Sequence, residues 1–287
     1  MRFEVLREFD PWNGPLCTCP KKYSLQPYTG CPYSCLYCYA TSYVRYKFAP
    51  KKNFLERLKR DLRKADKSRI VNLSTSSDPY PPIEEKLGLT RKAIETLKSY
   101  GFRILITTKG TIVVRDADLL QDGGAVMITI TTLDDDLARE LEPGAPSPSE
   151  RLEAISKLSP KVPVGVRIDP VVPGVNSEEE ALKELVRVVR AKGALHVTTS
   201  TYKAKPDNLA RMSKLFPHLK EMYKRGAKVG GYRYLPEETR RELLRPVVEE
   251  AQRLGMSYAF CREGFSFSAP SCDGSHLISV RRHLPSK

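Results

Sequence analysis

The chain has 287 residues, of which 40% are hydrophobic and 29% charged, and its formal net charge is +14. This composition excludes bulk disorder and a bundle of membrane helices, and a chain of this length buries a core without disulfide staples. No apolar run reaches the ~20 residues of a spanning helix and the first eight residues carry charge, so we expect a soluble, cytoplasmic protein with no membrane partner.

Predicted strands and helices alternate from residue 22 to residue 200. The helices are recognised by apolar residues at helical spacing and by first-turn residues such as Ser177, expected as an N-cap. The strands are predicted at Tyr23–Pro27, Ile70–Leu73, Arg103–Thr107, Ala125–Ile130, Val162–Ile168 and Ala194–Thr199, and the helices at Lys52–Asp66, Thr90–Tyr100, Val114–Leu120, Ser149–Leu158 and Ser177–Ala191. This alternation favours βαβ units and an α/β fold with six parallel strands.

Polar residues recur where the predicted strands end. They are Ser74–Asp78, Thr107–Lys109, Thr129–Thr132, Arg167–Asp169 and Thr198–Thr201. Because the carboxyl ends of parallel strands share one edge of the sheet, we expect a polar cup that binds a ligand there. Ordinary loop polarity is the alternative explanation.

The chain changes character after residue 200. Residues 201–287 are basic and rich in tyrosine, with a predicted helix at Glu237–Leu254 and a final strand at Met256–Cys261. Lys and Arg would neutralise phosphates and the tyrosines, Tyr202, Tyr223, Tyr232 and Tyr234, would stack on exposed bases, so we expect a nucleic-acid partner, tRNA or DNA. The alternative is a solvated helical face with tyrosines in the core.

The seven cysteines fall into three groups. They are Cys17 and Cys19, then Cys31, Cys35 and Cys38, then Cys261 and Cys272. In an intracellular protein, clustered thiols more often bind metal than form a disulfide framework. The middle group has the spacing C-x3-C-x2-C, and three thiolates on a [4Fe–4S] cluster leave one iron open, whereas a structural zinc needs four ligands. Zinc stays possible if Cys17 or Cys19 supplies the fourth.

Longer segments carry a family resemblance. PYTGCPYSCLYCYA, STSSDPY, ITTKG, ITTLDDDLARELEPGAPSPSERLEAI and VRIDPVVPG occur in this order. Over about residues 22–200 the sequence resembles radical S-adenosylmethionine (SAM) enzymes, in the branch similar to spore photoproduct lyase. The resemblance implies a partial (β/α)6 barrel, with residues 1–21 as an N-terminal segment and residues 201–287 as a short C-terminal extension.

The resemblance also implies the chemistry. Cys31, Cys35 and Cys38 would bind a [4Fe–4S] cluster, and an electron from a donor such as ferredoxin or flavodoxin would cleave SAM to a 5′-deoxyadenosyl radical. That radical would abstract a hydrogen atom from the substrate. The cofactors would supply the electron and the radical, and the protein would position them and exclude water and oxygen. Whether the enzyme is a lyase, a transferase or an oxidoreductase stays open.

Ten residues are predicted to contact SAM, and no catalytic residue is assigned. Tyr37 would lie near the adenine, Arg151 would pair with the SAM carboxylate, and the others stand at strand ends that match SAM-contacting positions. The ten are Tyr37, Ser76, Ser77, Asp78, Lys109, Thr129, Thr131, Arg151, Arg167 and Asp169. Three alternatives are helix capping by the Ser and Thr residues, an Arg151–Glu142 ion pair and turn formation by Asp169.

One residue departs from the family pattern and limits which activity the resemblance implies. Spore photoproduct lyase has a hydrogen-donating cysteine where this chain has Thr75. A threonine O–H bond is too strong to return a hydrogen atom to a carbon radical. We therefore do not expect thymine-dimer repair.

The outer cysteines, Cys17, Cys19, Cys261 and Cys272, leave several possibilities open. They would hold a second [4Fe–4S] cluster if the two chain ends meet. The alternatives are a zinc ion bound by all four thiolates, a disulfide, or a catalytic thiol with spare structural cysteines.

Together these features predict a radical SAM enzyme that modifies or repairs nucleic acid. The alternatives are a radical SAM enzyme acting on a protein or small molecule, and a non-enzymatic zinc protein that binds nucleic acid. The chain has only five Asn and three Gln, which suggests a thermophilic source.

Overall fold

An eight-stranded sheet organises the part of the chain described by the computed structural model, residues 3–9, 16–44 and 47–279. The strands are β1 (Leu6–Glu8), β2 (Tyr23–Leu25), β3 (Tyr28–Thr29), β4 (Ala49–Pro50), β5 (Val71–Leu73), β6 (Ile104–Thr108), β7 (Gly124–Thr129), β8 (Val164–Val171), β9 (His196–Thr201), β10 (Ala227–Val229), β11 (Tyr232–Tyr234) and β12 (Ser257–Phe260). The sheet order is β1-β2-β5-β6-β7-β8-β9-β12.

The pairing is parallel from β2 to β12, and only the edge strand β1 is antiparallel. The predicted α/β fold and its six parallel strands are therefore confirmed. The final strand predicted near residue 256 is also present, as a seventh parallel strand. The sheet keeps two edges, as a partial barrel does.

Helices cover the sheet because each has one apolar face. They are α1 (Phe54–Leu62), α2 (Glu84–Leu87), α3 (Leu89–Ser99), α4 (Ala117–Leu120), α5 (Asp135–Leu141), α6 (Pro148–Leu158), α7 (Glu179–Ala191), α8 (Pro206–Leu215), α9 (His218–Lys224) and α10 (Glu237–Arg253), with 3-10 turns at Ala40–Ser42, Thr111–Asp116 and Ser275–Ser279. Leu58, Leu97 and Leu185 are fully buried in the core that these helices form with the strands. No described helix has the length and apolarity that a membrane crossing requires.

One part of the sheet is covered by an apolar cluster and another part borders a cavity lined by polar residues. Leu277, in the last 3-10 turn, packs with Leu105 and Met127 in a separate apolar cluster. The polar residues at the strand ends are left to face a cavity. The C-terminal segment therefore covers one part of the sheet while the functional groups occupy another.

Two local predictions were wrong. Helix α7 is capped by Glu178, whose carboxylate accepts from the backbone N–H of Glu180 and Ala181, and the hydroxyl of Ser177 instead accepts from Gly174 N at 2.9 Å. The helix predicted over residues 114–120 is divided between a 3-10 turn and the short α4.

The extension after residue 200 is more ordered than the sequence suggests. Helices α8 and α9 and the hairpin β10–β11 were not predicted, and β12 joins the same sheet as the preceding strands. Tyr202, Tyr223, Tyr232 and Tyr234 are all at most 4% exposed, as the alternative of tyrosines in the core predicts, and their stacking on nucleic-acid bases stays a prediction. Tyr202 and Tyr223 pack edge to face, as core residues do. The division of the chain into domains at residue 200 stays a prediction.

Candidate active site

A cavity of about 300 Å³ opens at the carboxyl ends of the parallel strands. Its wall includes residues at or just after the ends of β5, β6, β7, β9 and β12 and residues within β8. The polar residues predicted at the strand ends therefore do face a common cavity. Of the predicted site residues, the cavity is lined by Tyr37, Ser76, Ser77, Asp78, Lys109, Thr129, Arg167, Asp169, Cys17, Cys19, Cys31, Cys35, Cys38 and Cys261. Thr131, Arg151 and Cys272 are not among the lining residues.

Three cysteine thiols enter this cavity from one loop between β3 and the Ala40–Ser42 turn. Two residues take left-handed backbone conformations there, Gly30 with φ 70° and Ser34 with φ 52°, and the N–H of Cys38 donates to Cys35 O at 3.1 Å. Burial raises the pKa of the Cys31 and Cys35 thiols to about 12. As free thiols, Cys31 and Cys35 are therefore protonated, and metal binding would displace their protons.

The donor set fits an iron–sulfur cluster better than a single ion. Within the described residues, no group of three or more His, Cys, Asp and Glu side chains is arranged to hold one metal ion. A [4Fe–4S] cluster distributes its thiolates over separate irons, so its ligands need not converge on one point. Three thiols on one loop, facing a cavity, match the cluster with one iron left for another ligand.

A buried carboxylate organises the predicted SAM contacts on one side of the cavity. Glu142 accepts hydrogen bonds from the hydroxyls of Tyr37 and Thr131 and forms an ion pair with Arg151, and Lys109 Nζ lies 4.0 Å from its Oε1. Burial alone would raise the pKa of Glu142, but Lys109 and Arg151 hold it below its ordinary value. The ion pair between Arg151 and Glu142 is confirmed, and Arg151 is turned into the protein interior.

Asp78 is occupied by hydrogen bonds within the fold. Its carboxylate accepts from Thr108 Oγ1 at 2.6 Å, from the backbone N–H of Lys109 at 2.8 Å and from that of Tyr80 at 2.9 Å. Burial raises its pKa in spite of these donors. Asp78 therefore fixes the turn that carries Lys109 into the cavity.

The part of the cavity wall formed by β8 and by the residues after β9 contains a second set of ion pairs. Arg167 pairs with Asp169, which also accepts from Ser200 Oγ at 2.6 Å, and Lys203 Nζ donates to Glu263 Oε1 at 2.8 Å. Burial would raise the pKa of Asp169, but Arg167 and Lys203 lower it. This wall therefore offers fixed charges of both signs to a ligand.

Sequence reasoning missed several residues of the site. Glu142 appeared only as an alternative partner of Arg151, and Lys203 only as part of a basic region. Glu263 has no sequence signal, because its role comes from contacts with residues about 60 positions earlier. Tyr39, which lines the cavity, is 39% exposed and was not singled out.

Helix α8 of the extension holds the cysteine loop. Arg211 donates to Leu36 O at 3.1 Å and to Cys38 O at 3.0 Å, and Asn208 Nδ2 donates to Tyr37 O at 3.1 Å. These bonds satisfy backbone carbonyls between and at the cysteines. The C-terminal extension is thus part of the construction of the site.

The outer cysteines meet in space. Cys272 Sγ lies 3.3 Å from Cys19 Sγ, although the two residues are 253 positions apart in the chain. Cys17, Cys19 and Cys261 line the same cavity as the three loop cysteines. The condition left open by the sequence, that the two chain ends come together, is met.

Comparisons with known proteins give the family. The sequence matches the profile of the Radical SAM superfamily over residues 25–186. An uncharacterized protein of Mycobacterium bovis is 29% identical over 265 residues, covering 82% of this chain and 76% of its own. A protein of Pseudomonas phage M6 named radical SAM Nα-GlyT isomerase is 26% identical over 255 residues, covering 83% of this chain and 53% of its own.

A solved structure shares the fold. It is a mutant of spore photoproduct lyase with bound SAM and a dinucleoside spore photoproduct. It superposes with a TM-score of 0.67 at 18% identity, over 89% of this chain and 80% of that chain. The predicted resemblance to this branch is confirmed at the level of the fold.

Proposed function

The chain belongs to the radical SAM superfamily, and on that premise we propose that it cleaves SAM reductively at a [4Fe–4S] cluster bound by Cys31, Cys35 and Cys38. The observation that carries the proposal is the placement of three thiols from one loop on a cavity at the carboxyl ends of a parallel sheet. The loop cysteines would hold the cluster, which, once reduced by an electron donor, would supply the one electron needed to break the sulfonium C–S bond of SAM and so allow abstraction of a substrate hydrogen atom.

The protein's own residues position SAM and shield the radical from water. Ser76, Ser77 and Thr129 offer hydroxyl groups at the cavity wall, and Lys109 and Arg167 offer charge. Glu142 orients Tyr37 and Lys109 through the contacts described above. Arg151 and Thr131 contribute indirectly, as positioning residues that hold Glu142.

The proposed substrate is a nucleic acid, tRNA or DNA. The net charge of +14 favours a polyanionic partner, and five basic residues on α8, α9 and the hairpin region are exposed, namely Lys214, Lys220, Lys224, Arg225 and Lys228. The solved neighbour binds a dinucleoside spore photoproduct, which supports the same substrate class. Thr75, which lines the cavity, cannot return a hydrogen atom as a cysteine would, so repair of that photoproduct is not proposed.

The first test is formation of 5′-deoxyadenosine by anaerobically reconstituted protein, with dithionite or reduced flavodoxin as the electron source. Cys31→Ala, Cys35→Ala and Cys38→Ala should each abolish the product, because each removes a cluster ligand. Ser34→Ala should retain SAM cleavage and is the matched control, because Ser34 is exposed on the same loop and does not line the cavity. Product formation by any of the three cysteine variants would contradict the ligand assignment.

The second test is the salt dependence of tRNA and DNA binding. If the five exposed basic residues each neutralise one phosphate, log K should fall against log salt with a slope of about −4.5 on duplex. Replacing all five with Gln should remove most of that slope. The matched control replaces Arg63, Lys64, Lys67, Lys157 and Lys161, which are exposed elsewhere on the fold. An unchanged slope in the first variant would refute this binding surface.

A further inference from the structure

The four outer cysteines come from three segments that are distant in sequence. Cys17 and Cys19 precede β2, Cys261 follows β12 directly, and Cys272 lies in the C-terminal loop. Strands β2 and β12 are separated by five other strands in the sheet order. The fold therefore brings these thiols together by the course of the chain outside the sheet.

The fold gathers the four thiols at one place. The Cys19 and Cys272 sulfur atoms lie 3.3 Å apart, and Cys17, Cys19 and Cys261 line the same cavity. A disulfide would use two of these thiols and leave two over. Four thiols gathered from three distant segments are instead the arrangement of a shared ligand set.

The surroundings fix the group from two sides. Lys22, 1% exposed, forms a buried ion pair with Asp273, so residues adjoining Cys19 and Cys272 are joined. On the other side, Arg167 and Cys261 line the same cavity, and the Arg167 charge opposes the rise that burial causes in the pKa of the Cys261 thiol. Hydrogen bonds to sulfur and nearby charge are the means by which proteins tune iron–sulfur clusters.

The shape of the site favours a cluster over zinc. A structural zinc site is closed and tetrahedral, with all four ligands converging on one ion. Here Cys17, Cys19 and Cys261 line a cavity, and no described group of three or more candidate ligands is arranged around a single-ion position. A [4Fe–4S] cluster takes one thiolate on each iron, so the Cys19 and Cys272 sulfur atoms, 3.3 Å apart as free thiols, would move apart to bind it.

We infer that Cys17, Cys19, Cys261 and Cys272 hold a second [4Fe–4S] cluster in the wall of the cavity that contains the loop cysteines. This cluster is fully ligated by protein thiolates, so it leaves no iron for SAM. The inference does not depend on the identity of the substrate. It goes beyond the proposed function, since SAM cleavage needs only the loop cysteines.

Iron, sulfide and zinc per chain test the inference after anaerobic reconstitution. The wild type should hold about eight irons. The triple variant Cys31→Ala/Cys35→Ala/Cys38→Ala and the quadruple variant with all four outer cysteines changed to Ala should each hold about four. After reduction, electron paramagnetic resonance should show two cluster signals in the wild type and a different one of them in each variant.

The outcomes separate this inference from the proposed function. About four irons in the wild type and none in the triple variant would overturn the second cluster while leaving the first in place. Zinc without iron in the triple variant would overturn it in favour of a zinc site. If the triple variant loses 5′-deoxyadenosine formation and the quadruple variant keeps it, the result supports the proposed function. The second cluster is then decided by the iron content.

A milder variant covers the case in which the quadruple variant does not fold. Cys272→Ser in the triple-variant background keeps the size of the side chain and removes one soft ligand. With near-ultraviolet circular dichroism unchanged, iron should fall below about four or the resonance signal should change. An unchanged iron content and signal would overturn the assignment of Cys272.

Discussion

At the scale of single residues, the site depends on a carboxylate that contacts several of its predicted members. Glu142 is fully buried, with two cations and two hydroxyl donors around it. Each neighbour was predicted to contact SAM, yet two of them, Thr131 and Arg151, face Glu142 instead of the cavity. A ligand-binding pattern in sequence can therefore mark the residues that support a site as well as those that touch the ligand.

Glu142→Gln tests this role. The change leaves the charges of Arg151 and Lys109 without their buried partner, and breaking such a pair typically costs about 3–5 kcal/mol. We expect a loss of that size in the free energy of unfolding, measured by urea denaturation, together with weaker SAM binding. Glu140→Gln, two residues earlier and exposed in helix α5, which ends just before Glu142, should change neither. Equal stability of the two variants would contradict the role of Glu142.

At the scale of elements, a helix outside the family profile holds the loop that defines the family. Helix α8 donates three hydrogen bonds to the backbone carbonyls of Leu36, Tyr37 and Cys38. The match to the profile ends at residue 186, before α8 begins. The cysteine loop is consequently supported by a segment whose sequence gives no sign of that function.

Arg211→Ala should weaken the cluster without removing a ligand. The loop loses two donors to its backbone, and hydrogen bonds from a charged group contribute about 1.5–3 kcal/mol each. We expect iron to be lost from the loop cluster on exposure to a chelator at a rate at least tenfold higher than in the wild type. Lys214→Ala, exposed on the same helix, is the control and should match the wild type. Similar rates in both variants would show that α8 does not stabilise the loop.

At the scale of the whole molecule, the two ends of the described chain are joined in the interior. Lys22 and Asp273 form a buried pair across 251 residues, beside the contact between Cys19 and Cys272. The same C-terminal segment places Leu277 against the sheet. The same C-terminal segment therefore covers part of the sheet and supplies Cys272 to the outer cysteine group.

Lys22→Met should destabilise the protein by about 3–5 kcal/mol in urea denaturation, because Asp273 is left buried and unpaired. The double variant Lys22→Met/Asp273→Leu should recover part of this loss, since no isolated charge remains. Lys21→Met is the matched control, because Lys21 is exposed. A double variant less stable than the sum of its single changes would contradict this account of the pair.

The sequence by itself determined the features that depend only on residues close together in the chain, namely the strands, the helices and the cysteine loop. Buried apolar runs such as Ile104–Ile106 identify strands of a covered parallel sheet, helical spacing identifies α3 and α7, and eight residues contain the complete C-x3-C-x2-C loop. These signals need no knowledge of distant contacts, because side-chain periodicity and metal-ligand spacing are local properties.

Only the tertiary structure decided what depends on residues far apart in the chain. It turned Arg151 towards Glu142, placed the four tyrosines of the extension in the interior, and brought Cys19 to Cys272. The physical reason is that the burial and pairing of a residue depend on which surfaces of the protein pack together. The sequence around a charged or aromatic residue looks the same whether the residue lies in the core or at the surface. The extension therefore appeared from its sequence as a basic surface, whereas in the fold it also supports the cysteine loop and completes the outer cysteine group.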